Sequence, residues 1–228
     1  FSDIAQMRRT PVYVVCSPRP AVGKTLIARV LAEFLLLKNG AVSAFDINLR
    51  EPSLLNYLPR FTETAQIGDT FGQMALMDRL IVNDGVPKVI DLGFHAFDDF
   101  FKVVAEIGLM KEAERRGIDP IVMFIPDRDR ASMVAWQMLR TTFPNAALVP
   151  VENEHVLWGP LPQGFERVRP FRIAALPGFL KSIIGRLNFS FTHYLRTNRD
   201  QSSELHQWVR GNYTRFRELE LNLILHKL

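Results

Sequence analysis

The chain is 228 residues long, enough to bury a substantial core, and its 47% hydrophobic and 23% charged residues are ordinary for a soluble globular fold. The single cysteine, Cys16, excludes an internal disulfide and points to a cytoplasmic compartment, and no run approaches the ~20 apolar residues of a membrane-spanning helix. The net charge of +4 is uneven: from Phe165 onward eleven Lys and Arg stand against five Asp and Glu, so the last quarter is basic and the remainder slightly acidic.

In chain order, PVYVVC (11–16) reads as a buried strand, rich in valine and followed by a loop that carries Pro18 and Pro20. After Lys24, residues Leu26, Ile27, Val30, Leu31, Phe34 and Leu35 recur at helical spacing, with Gly40 as the stop. AVSAFD (41–46) is the next strand, and KVIDLG (88–93) another. The segment from Phe94 to Gly117 is helical for much of its length, with Phe94, Phe97, Phe100 and Phe101 expected in the core. PIVMFI (120–125) gives a strand, Arg130 to Thr142 a helix, and AALVPVEN (146–153) a strand. A Pro- and Gly-rich loop covers 157–170, FRIAALP (171–177) supplies a last strand, and two helical stretches run to the end. Near-continuous apolar strands separated by helices predict an α/β fold, a mostly parallel central sheet with helices on both faces and a helical C-terminal part. The whole chain reads as one domain, with 177–228 as its basic helical part.

The loop between the first strand and helix ends in Gly23, Lys24 and Thr25. A phosphate-binding loop turns backbone N–H groups inward at a helix N-terminus, its lysine meets the β- and γ-phosphates, and its hydroxyl meets magnesium. Pro18 and Pro20 depart from that pattern, because each lacks an N–H and fixes φ near −65°.

With those residues in view, RPAVGKT (19–25) resembles the deviant phosphate loop KGGxGKT of the MinD/ParA ATPases, and MipZ-type members above all. The resemblance extends over residues 11 to 155. It implies a P-loop ATPase that binds ATP and Mg²⁺ and closes a homodimer through the loop's extra cation, here Arg19. Val22, Gly23, Lys24, Thr25 and Leu26 correspond to the nucleotide-binding loop. SAFDINLREPSLLNYL (43–58) resembles the segment with an Asp-x-Asp pair, where Leu49 and Arg50 strengthen the likeness. Asp46 matches the first carboxylate, near magnesium and the attacking water, and Asn48 stands where the second belongs. An amide accepts no proton as a carboxylate does, which implies slow or impaired hydrolysis. Asp91 matches the Walker B aspartate, a metal residue together with Thr25 and Asp46, and Asn153 matches an asparagine that reads the adenine edge. Asp46 and Asn153 both also suit strand-end turns.

SSELHQWVRGNYTRFRELELNLILHKL (202–228) has an N-cap in Ser202 or Ser203, and Leu205, Trp208, Val209, Phe216 and Leu219 fall at helical intervals. Relatives use such a part against DNA or a membrane surface; the plain alternative is a helix packed on the sheet with its arginines in solvent. The five histidines show no metal-ligand spacing. Phe1 in the first position fits a trimmed start. Three functions remain: a ParA/MinD-like switch for positioning or partitioning, cytoplasmic or associated with nucleoid or membrane; a non-catalytic scaffold; and a biosynthetic P-loop enzyme, for which no substrate pocket is legible. The protein partner is unknown from sequence.

Overall fold

The computed structural model describes residues 8–48, 53–165 and 169–226. Strand β1 (Thr10–Cys16) runs through Pro18–Val22 into helix α1 (Lys24–Asn39), which ends where Gly40 takes the left-handed conformation and its N–H returns to Leu36 O. Then follow β2 (Ser43–Ile47), α2 (Leu54–Tyr57), β3 (Thr62–Thr64), α3 (Thr70–Leu80) and β4 (Lys88–Leu92). A 3-10 turn, Phe94–Ala96, leads into α4 (Phe97–Glu106) and α5 (Leu109–Arg116), parted by Gly108 in the left-handed region. The chain continues with β5 (Ile118–Phe124), α6 (Arg130–Thr142), β6 (Ala147–Asn153), β7 (Phe171–Ile173), α7 (Gly178–Ile184), α8 (Phe191–Thr197) and α9 (Glu204–Leu225).

Among the described residues the strands form one seven-stranded sheet, order β3-β2-β4-β1-β5-β6-β7, and every pairing is parallel. Alternation along β1 divides the core. Tyr13 and Val15 point to the layer of α1, α7, α8 and α9; Val12, Val14 and Cys16 point to the layer of α3 to α6. The mostly parallel α/β expectation holds. Pro120 is tolerated inside β5 because β6 joins that strand only at Ile121.

The short helix α2 falls where the resemblance of 43–58 implies a loop and helix. Two elements between residues 62 and 80 escape sequence reading: β3 is only three residues long, and α3 buries only Leu76, Met77 and Leu80. The tail holds three helices rather than two, because α7 and α8 have seven residues each and are too short to display a period. Phe97, Phe100 and Phe101 are buried as expected, whereas Phe94 is only partly covered and lies beside Lys24.

Helix α1 is buried almost all round from Ile27 to Leu35, because the tail covers it. Phe216 of α9 stacks on Phe34 at 5.6 Å and on Phe171 at 4.6 Å, and Trp208 Nε1 donates to Ala174 O. The apolar stripe of α9 therefore faces the core. Two buried charges on α1 hold neighbouring elements, Glu33 the start of α8 and Arg29 the end of α7 and the ring of Tyr57. Glu33 accepts from Ser190 Oγ at 2.6 Å, Phe191 N at 3.1 Å and Thr192 N at 3.4 Å, closing the helix N-terminus. The Arg29 guanidinium lies 3.7 Å from the Tyr57 ring centroid and donates to Ile184 O; burial lowers its pKa to about 10, so it stays charged. Glu33→Ala leaves those donors without an acceptor and should cost about 2–3 kcal/mol, read as a lower urea midpoint with unchanged slope.

Candidate phosphate-binding site

The site stands at the carboxyl ends of β1, β2 and β4, where an open parallel sheet leaves its crevice. Gly23 is the N-cap of α1 at φ 88°, a left-handed conformation that turns the chain from loop to helix. The first intrahelical bond is Ile27 N to Gly23 O. The N–H groups at the start of α1 therefore lack partners within the helix, the N-cap residue is a glycine that supplies no side-chain cap, and no acidic residue sits in the first turn. Such a terminus favours an anion. The side chains of Val22 and Leu26 pack into the core, so these residues offer a ligand only backbone N–H groups.

Lys24 is 7% exposed; its Nζ donates to Arg19 O at 2.9 Å and lies 5.9 Å from the Phe94 ring centroid. Thr25 Oγ1 donates to Asp91 Oδ2 at 2.7 Å. Parallel pairing puts Asp46 and Asp91 side by side, with Val15 opposite Asp91 on the other flank. Asp46 accepts from Asn48 N and from Leu55 N, both at 3.0 Å, so it also shapes the turn after β2. Leu49 and Arg50 lie outside the described residues. Asn48 comes close to the chain after β4: a Cβ at Gly93 would stand 3.2 Å from Asn48 Cα and 2.6 Å from Ile47 O. Gly93 N donates to that same carbonyl, so a close backbone approach requires glycine here.

Asp91 is fully buried, and its Oδ1 has no hydrogen-bond partner. Its carboxyl is pushed up to about 7. Burial is the main cause, the Thr25 hydroxyl and the Lys24 charge oppose it, and the neighbouring Asp46 adds to it. A bare carboxylate oxygen, a second carboxylate and a threonine hydroxyl suit one small hard cation that takes its remaining ligands from phosphate and water. Among the described residues no group of three or more His, Cys, Asp or Glu could hold a metal by itself. The donor set fits a cation that arrives with an anion.

The other expected residues have partners that sequence reading missed. Arg19 Nε contacts Asp127 Oδ2 at 2.9 Å and its Nη2 reaches Asp129 Oδ2 at 3.5 Å, both from the turn after β5. Asp127 in turn accepts from Ser132 Oγ. An Asp-x-Asp turn at a strand end was visible in the sequence, but its pairing with Arg19 was not. Asn153, expected at a base edge, is 1% exposed; its Nδ2 donates to Val22 O at 2.9 Å and its Oδ1 accepts from His155 N and Nδ1. Leu176 N donates to His155 Nε2, so the neutral ring carries its proton on Nδ1; burial lowers this histidine's pKa. Ala21, at φ 56°, takes the left-handed conformation without being glycine.

No family model matches this chain, and no curated protein matches it. Among solved structures, a ParA family ATPase from Chlorobium tepidum TLS superposes with a TM-score of 0.57 at 14% identity, covering 91% of this chain and 98% of that one. That likeness shows the fold. A nucleotide-binding protein in complex with ADP from Archaeoglobus fulgidus matches at 15% identity with a TM-score of 0.42, over 62% of this chain and just 65% of that chain's length.

Proposed function

We propose that this chain is a nucleotide-dependent switch of the ParA/MinD kind, binding ATP with Mg²⁺ at the head of α1 and hydrolysing it slowly. The carrying observation is the Thr25–Asp91 bond of 2.7 Å beneath a helix N-terminus whose N-cap is glycine, with Asp91 Oδ1 buried and unpartnered. The N–H groups of Val22 to Leu26 hold phosphate, and Lys24 leaves Arg19 O to meet it. Thr25, Asp46 and Asp91 hold the cation, which when bound screens phosphate charge. Asn48 in place of a carboxylate limits the polarisation of an attacking water. The extended resemblance, MipZ-type in its second segment, supports a positioning or partitioning role, a homodimer closed through Arg19 and a cytoplasmic setting. The basic tail supports contact with an anionic surface, DNA or lipid. Among the described residues no helix is long and apolar enough to cross a membrane.

A second reading, a scaffold that has largely lost nucleotide, has its own support. Pro18 and Pro20 supply no N–H, and Arg19 is engaged within the chain by Asp127 and Asp129. Calorimetry with ATP and ADP in the presence of Mg²⁺ separates the two. For the switch, binding is measurable and falls about 100-fold or more in Lys24→Ala, since a charge-assisted contact to phosphate is lost. Phosphate release is then slow. No heat at high ligand concentration leaves the scaffold.

A further inference from the structure

The turn Asp127–Asp129 grips two segments at once. Its aspartates hold Arg19 of the phosphate loop, and between them Arg128 Nη2 donates to Trp158 O at 2.7 Å. Asn153, which braces Val22 from below, also accepts at its backbone O from Val156 N and Leu157 N, both at 2.9 Å. Leu157, the residue just before Trp158, is buried at 1% exposed and anchors the chain there. The chain at Trp158 is therefore tied to the phosphate loop by two routes, one through Arg19 and one through Val22. Yet the indole itself is 85% exposed, against 1% for Trp136 and 7% for Trp208. A large aromatic ring left in water, on a backbone hydrogen-bonded to the turn that grips the phosphate loop, is an open stacking surface.

From this we infer that Trp158 is the base platform of the site: it stacks on the purine of a bound nucleoside triphosphate. This inference rests on the nucleotide reading above. Asn153 has both ends of its amide engaged in bracing the loop, so the base is held by its face rather than by its edge. Stacking tolerates any purine, because every base has a π-face. Trp158 is thus a positioning residue with little power to separate ATP from GTP.

The test titrates the full chain with ATP, GTP and tripolyphosphate, each with Mg²⁺, following tryptophan emission and heat. Trp158→Ala and Trp158→Phe are run alongside. Quenching of the wild-type emission by ATP and GTP, with similar affinities, is expected. Trp158→Ala should lose that quenching and weaken both nucleotides about tenfold while leaving tripolyphosphate unchanged, and Trp158→Phe should restore most of the affinity. Because the side chain is exposed, neither variant should unfold the chain. Equal ATP affinity in Trp158→Ala overturns the platform and leaves the nucleotide reading standing, and a parallel loss of tripolyphosphate also overturns it. Failure of the wild type to bind either ATP or tripolyphosphate sinks both.

Discussion

Asp91→Asn is expected to stabilise the ligand-free chain above pH 7 while removing its response to Mg²⁺ and nucleotide. Burial raises the Asp91 carboxyl to about 7, well above its unfolded value, so the folded state holds this proton more tightly. The resulting stability is complete below the unfolded pKa and is lost as pH climbs through the folded one. Between roughly pH 4 and pH 7 the wild-type chain should lose on the order of 2–4 kcal/mol from this single group. The asparagine amide is neutral throughout, and its oxygen still accepts from Thr25 Oγ1. The two proteins should therefore melt together near pH 4, and the variant should melt higher at pH 8. A set of thermal melts across that range reads the difference directly, and parallel curves would show that Asp91 is not the titrating group.

The same substitution tests what the carboxylate is for. A divalent cation beside Asp91 would reverse the local electrostatics and favour the ionised form. Mg²⁺ with ATP should therefore stabilise the wild type most at the alkaline end, where the bare site is weakest. In Asp91→Asn that stabilisation should shrink sharply, as binding to the folded state alone shifts the unfolding equilibrium. Gain of stability with loss of ligand response is the signature of a group retained for function.

Gly23→Ala is the second large effect, and it acts through geometry. At φ 88° an added Cβ costs about 1–2 kcal/mol in backbone strain, and it would stand 2.5 Å from Asn153 Nδ2. That amide is buried and bonded to Val22 O, so it cannot move away without leaving polar atoms unsatisfied. Overpacking of this kind adds about 1–3 kcal/mol, for a total of about 2–5 kcal/mol. Gly40→Ala supplies the control: its φ of 75° carries similar strain, but nothing lies within 4 Å of the new carbon. The difference between the two variants in urea denaturation isolates the Asn153 clash, and equal losses would show that the loop gives way freely.

Sequence alone determined the elements whose causes are local. The run Thr10–Cys16 is a strand because valines alternate between two covered faces, and Gly23 and Gly40 bound α1 because each turn needs positive φ. Asp46 and Asp91 stood out as acids closing apolar strands, and the parallel sheet puts them abreast. Their order with Lys24 and Thr25 carried the resemblance to a phosphate-binding site before any geometry. What only the tertiary structure decided are the pairings between residues far apart in the chain. Arg19 meets Asp127 across 108 positions, Asn153 meets Val22 across 131, and Glu33 meets Ser190 across 157. No periodicity or motif encodes such contacts, since they exist only once strand order has set which loops adjoin. For α9 the apolar stripe already favoured a helix packed on the sheet over a lipid surface, and the stacking of Phe216 on Phe34 and Phe171 shows which residues it packs against. The unpartnered oxygen of Asp91 belongs here too, because burial on every side is a property of the assembled layers and not of the strand that carries it.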